Sequence, residues 1–170
     1  MAERITAAGF RYVDRFAVED PSAWFRIMPV GTFSRWGRFF RVTLAKIEDM
    51  VANFRAGIPD TALPVNREHS DVDGRVGVIA DLSALDDGLY ARIEWNADGL
   101  DAIKRGAFQY FSPEIYWETD YDGQIVENVL VGLAITTSPY FGAATAMFSI
   151  NDVVPGARLP AVPSDNQEVT

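Results

Sequence analysis

The sequence predicts a mostly β domain with flanking helices, an α+β fold whose simplest closed form is a β-barrel with helices on its outside. Two paired β-like runs, each split by a tight-turn signal, predict the sheet, and two stretches with helical periodicity predict the outer layer. With 48% hydrophobic and 23% charged residues in a chain of 170, one ordinary core is expected. An open α+β sandwich is the alternative way to bury the same hairpins.

Residues 24–33, Trp-Phe-Arg-Ile-Met-Pro-Val-Gly-Thr-Phe, are apolar and partly alternating, as in a strand near a sheet edge that tolerates Pro29 and Gly31. From Thr43 the period changes. Leu44, Ile47, Met50, Val51 and Phe54 recur at three- and four-residue steps, with Thr43 as N-cap and Gly57 as stop, which predicts an amphipathic helix. Its apolar stripe reads as core packing rather than as a ligand groove. After Pro59 and Pro64 the chain is extended again through Val65.

Residues 74–85 and 88–95 form the first hairpin, and the Asp86-Asp87-Gly88 break between them holds an Asp-Gly pair that favours a tight turn. Leu100, Ile103 and Ala107 then predict a second, short helix, capped by Asn96 or Asp98 and ending near Gly106. Residues 108–118 are aromatic and β-branched, Tyr121-Asp122-Gly123-Gln124 is a turn, and 125–136 resumes the strand pattern, so a second hairpin has long strands. Beyond Ile150 the chain has no aromatic residue and little to bury. A domain over residues 5–150 and a flexible tail or linker over 151–170 are therefore expected.

Composition removes several classes of function. No cysteine is present, so disulfides, thiolate zinc and a cysteine nucleophile are excluded, and one histidine cannot build a multi-histidine metal site. A formal net charge of −9 repels polyanions, so no nucleic-acid partner is expected. The start, Met1-Ala2-Glu3-Arg4, lacks a signal-peptide core, and no run approaches the ~20 apolar residues of a spanning helix, so a soluble intracellular protein without a membrane partner is expected.

Two residues stand out chemically. His69 lies in Pro64-Val65-Asn66-Arg67-Glu68-His69-Ser70-Asp71, where a strand ends and a loop rich in Asp and Gly begins. Ser112 lies in Phe108-Gln109-Tyr110-Phe111-Ser112-Pro113-Glu114, a small hydroxyl among large neighbours. A lone histidine is more often structural, and a serine in a crowded sheet more often bonds the backbone. As a pair they are more telling, because an imidazole within reach of a serine makes it a nucleophile. No Gly-x-Ser-x-Gly elbow is present, so spacing alone leaves the pair open.

The succession of a helix, the Pro-x-x-x-Glu-His segment, Gly-Arg-Val-Gly-Val-Ile, Asp-Gly-Leu-Tyr-Ala-Arg-Ile, and Gly-Leu-Asp-Ala-Ile-Lys-Arg-Gly-Ala-Phe-x-Tyr-Phe-Ser-Pro-Glu resembles the phage prohead (capsid maturation) proteases. The likeness is closest to the Mu-type protease (protein I) group, spans about residues 39–148, and is strongest over 99–114. It implies a herpesvirus-assemblin-like β-barrel surrounded by helices, and a serine endopeptidase with Ser112 as nucleophile and His69 as general base. Its implied substrates and partners are the scaffold and major capsid proteins inside the immature head in the host bacterial cytoplasm. Self-cleavage and homo-oligomer formation accord with it, and it implies no cofactor and no metal.

The third catalytic member departs from the family pattern. Assemblins use a second histidine, which this chain lacks, and the resemblance to prohead proteases implies an acid on a late strand instead. That acid is replaced near Gly132, which leaves Glu127 as the nearest acidic candidate and Glu114 as the next. Backbone N–H groups would hold the oxyanion, with Asp73-Gly74-Arg75 among the turns that could supply them. The imperfect third position motivates a different reading, a non-catalytic head-assembly or scaffolding factor of the same fold, and the strand pattern alone also suits a β-barrel module for small ligands.

Overall fold

The computed structural model describes residues 4–5, 11–12, 24–35 and 38–137. The expected tail over 151–170 lies outside the described residues. Near the N-terminus β1 (Arg4–Ile5) and β2 (Arg11–Tyr12) pair antiparallel. Then come β3 (Trp24–Pro29), β4 (Gly31–Arg35) and β5 (Arg38–Val42), α1 (Leu44–Arg55), β6 (Pro64–Arg67), β7 (Arg75–Leu85) and β8 (Gly88–Trp95). The described elements end with α2 (Ala97–Lys104), β9 (Tyr110–Tyr121) and β10 (Gln124–Thr136).

The strand expected over 24–33 is in fact two. Pro29 has no N–H for a ladder, and past Val30 the chain leaves the main sheet to form a two-stranded ribbon, β4 with β5, that the alternation pattern did not show. Helix α1 begins and ends where the sequence signals put it. Thr43 Oγ1 accepts from the Lys46 N–H at 3.2 Å, and Ile47, Met50 and Val51 are buried against β7 and β10. At α2 the cap is Asn96, whose Oδ1 accepts from the Gly99 N–H at 2.8 Å. A Cβ on Gly99 would sit 2.1 Å from the Val76 carbonyl oxygen, so only glycine lets α2 lie this close to β7.

The main sheet has six strands in the order β3-β8-β7-β6-β10-β9. Every neighbouring pair is antiparallel except β6 and β10, which are parallel. Both hairpins form. The second turns on Asp122 and Gly123 with φ of 52° and 80°, the two-residue geometry that matches strand twist. In the first, Asp86 and Asp87 make the turn and Gly88 pairs with Leu85 as the first residue of β8, where a Cβ would lie 2.3 Å from the Met28 carbonyl oxygen of β3.

Twist curls the sheet into a half-barrel around Phe25, Val65, Leu82, Phe111, Leu133 and Ile135. Its two edge strands approach each other across the seam, where the Phe25 and Phe111 rings lie 5.5 Å apart and Trp95 stacks on Phe111 at 6.5 Å. Arg26 is one of the buried polar groups. Burial pulls the Arg26 guanidinium down to about 10, which leaves it charged at neutral pH beside Asp87. Burial and a 2.8 Å bond to Asp87 hold the Tyr90 hydroxyl above the usual tyrosine range. The mostly β, α+β class is observed, with two helices among the described residues.

Candidate active site

Side chains on β9 and β10 alternate between the core and the outer face of the half-barrel. Phe111, Leu133 and Ile135 point into the core, so Ser112 and Glu114 on β9, and Gly132 and Ala134 on β10, share the outer face. Register fixes their neighbours. Ala134 stands opposite Ser112 on one side and Asn66 of β6 on the other, and Gly132 stands opposite Glu114. Ser112 and Glu114 are two residues apart on one strand, about 7 Å between Cα atoms.

The outer face of β10 is small at both positions, and that absence of bulk is used. A Cβ on Gly132 would lie 2.9 Å from Glu114 Oε2, so the carboxylate of the neighbouring strand occupies the space a side chain at 132 would take. Its other oxygen, Oε1, lies 2.7 Å from His69 Nδ1. The imidazole thus reaches across β10, from the end of β6 to a carboxylate on β9.

His69 arrives by an unusual turn. Just past β6 both Glu68 and His69 take left-handed backbone angles, φ 50° and 60°. The loop that follows is tied to itself: Ser70 N–H donates to Arg67 O at 3.0 Å, Arg67 N–H donates to Gly74 O at 2.7 Å, and Asn66 Nδ2 donates to Asp71 Oδ1 at 3.1 Å. The Asp73-Gly74-Arg75 turn is part of this closure.

The contact sets the proton arrangement of the ring. An ionised carboxylate can only accept, so Nδ1 carries the hydrogen that points at Glu114, and in the neutral ring Nε2 is left with its lone pair. Such a ring is a proton acceptor held in one tautomer by its neighbour. His69 and Glu114 are both partly open to solvent, whereas Ser112 is 3% exposed.

Of the residues nominated from sequence, the structure brings His69 and Glu114 into contact and puts Ser112 on the same face, one step along β9. Glu127 is not brought there. It pairs with Glu118 five residues before Gly132, about 16 Å away along β10, and borders an open groove with Asp49 and Asn53 of α1. Among the described residues no cluster of three or more His, Asp or Glu could hold a metal ion, and no helix is long and apolar enough to cross a membrane. Glu68, Asn66 and Thr136 brace the His69 turn without a mark in the sequence; the Glu-His dipeptide is visible, but a left-handed turn at two such residues leaves no sequence signal.

Gly132→Ala tests the packing beneath the carboxylate. Its methyl group is expected to displace the flexible end of Glu114 at a stability cost within about 1 kcal/mol. The chain has one histidine, so its imidazole ¹⁵N spectrum is assigned without ambiguity. Loss of the bonded Nδ1–H signal is the expected outcome.

A model of the family described as Mu-like prophage I protein, N-terminal domain, matches residues 25–147. No curated protein and no solved structure gives a significant match.

Proposed function

Since the chain belongs to the Mu-like prophage I protein family through its N-terminal domain, we propose that it is a serine endopeptidase of phage head maturation. The observation that carries the proposal is the 2.7 Å contact of His69 with Glu114 on the face that also bears Ser112. Membership of a phage protein family supports a head-related role. The protease chemistry rests on the site and on the resemblance.

In this reading Ser112 Oγ attacks the scissile carbonyl while His69 Nε2 takes its proton. The imidazolium then gives that proton to the leaving amine, and water attacks the acyl-enzyme with the ring again as base. Glu114 is the third member. It fixes the Nδ1–H tautomer and offsets the charge that forms on the ring, from above Gly132, where the related proteases' late-strand acid is missing. Scaffold and major capsid proteins inside the prohead are the proposed substrates, with self-cleavage as a further cut, and an assemblin-like architecture belongs to the same proposal.

The low exposure of Ser112 favours a second reading, a head-assembly factor of this fold that binds those proteins without cutting them. Incubating the chain with the scaffold and capsid proteins of its own phage separates the two. New termini mapped by mass spectrometry are expected. Stable co-assembly with every protein intact supports the second reading.

A further inference from the structure

We infer that Glu68 is a positioning residue of this site, a latch that fastens the His69 turn to the end of β10; the inference rests on the protease reading. Two successive non-glycine residues with positive φ are sterically disfavoured, and such a turn persists only where its surroundings over-determine it. Here the surroundings are specific. Glu68 N–H donates to Ile135 O at 3.0 Å, which extends the β6–β10 ladder by one bond past the strand. Its carboxylate then takes three donors: Thr136 Oγ1 to Oε2 at 2.7 Å, Thr137 N–H to Oε1 at 3.0 Å, and Thr137 Oγ1 to Oε1 at 3.4 Å.

Position explains why this matters to the next residue. Thr136 continues the outer-face series Gly132, Ala134, Thr136, and it is buried at 2% exposure, so it is a fixed anchor. The latch holds the backbone at 68 and Glu114 holds the ring of residue 69, so His69 is fixed from its backbone side and at Nδ1. Without the latch, the two left-handed residues are free to relax toward ordinary φ, and the ring swings off Glu114. Glutamine keeps one acceptor oxygen where the carboxylate has two, and alanine keeps none. The expected order of function is therefore Glu, then Gln, then Ala.

The test uses the ¹⁵N-labelled 170-residue chain and two readouts. One is the imidazole spectrum of its single histidine, in which the wild type is expected to show one tautomer with a bonded Nδ1–H. Glu68→Ala is expected to average the tautomers and erase that signal while the amide signals of α1, β7 and β8 stay in place; Glu68→Gln falls between. The other readout is the rate at which a fluorophosphonate modifies Ser112, expected to fall on the order of 10- to 100-fold in Glu68→Ala and less in Glu68→Gln. Should Glu68→Ala fail to fold, Thr136→Val removes the Oε2 donor alone and is expected to move both readouts in the same direction. An imidazole spectrum unchanged by these substitutions overturns the latch, whatever the serine does. If the wild type resists the fluorophosphonate while Glu68→Ala still erases the Nδ1–H signal, the latch stands and the protease reading falls.

Discussion

Ser112→Ala is expected to slow cleavage of scaffold protein by at least about 10⁴-fold and to leave the fold intact. The hydroxyl is the nucleophile in the proposed chemistry, and neither His69 nor Glu114 can substitute for it from its place in the site. Structural damage is expected to be small. The β9–β10 ladder at 112 is made by backbone groups opposite Ala134, and removing one buried side-chain oxygen costs about 1–3 kcal/mol. Initial rates on purified scaffold protein, together with thermal unfolding of both forms, check the two halves of this expectation. A variant that cuts at the wild-type rate would mean that the nucleophile lies elsewhere.

Glu114→Gln is expected to cost on the order of 10²- to 10⁴-fold in kcat with little change in KM. Glutamine is nearly isosteric, but its amide can donate to Nδ1 and so stabilises the tautomer whose Nε2 carries the hydrogen and cannot act as a base. The loss therefore measures the proton arrangement rather than packing. A relocation variant sharpens the point: adding Gly132→Asp to Glu114→Gly supplies a carboxylate from β10 in place of β9 and is expected to recover at least about tenfold of the lost rate. Glu127→Gln is expected to stay within about twofold of wild type, since an exposed carboxylate at that separation is screened from the ring. Steady-state kinetics on a peptide spanning a mapped cleavage site gives all three values.

Periodicity and caps made much of the fold legible. Leu44 to Phe54 with Thr43 marks α1, Asn96 or Asp98 marks the start of α2, of which Asn96 is the cap, and Asp122-Gly123 marks the turn of the long hairpin. The ribbon β4–β5 was hidden because an apolar run does not say where it changes sheet. The first hairpin also falls where the sequence puts it, with Gly88 opening β8, but that β3 pairs beside Gly88 is not visible in the sequence. These are tertiary effects, to which local pattern is blind.

At the candidate site the same division holds. His69 and Ser112 were singled out by residue type and paired through resemblance. Ranking the acids required register: Glu127 is nearer the missing late-strand acid in sequence, yet Gly132 faces Glu114 across the ladder, and the space above a glycine is what admits a neighbour's carboxylate. Glu68 was out of reach for a related reason, since its partners Thr136 and Thr137 lie 68 and 69 residues away.

The central claim is that Ser112 is a nucleophile activated by His69, and covalent labelling with a fluorophosphonate followed by peptide mapping tests it most directly. One adduct per chain on the peptide containing Ser112, lost in His69→Ala and in Ser112→Ala, is the expected result. No adduct on Ser112 in a chain that is folded and assembled with its head proteins, or an adduct that forms equally fast without His69, would contradict the claim.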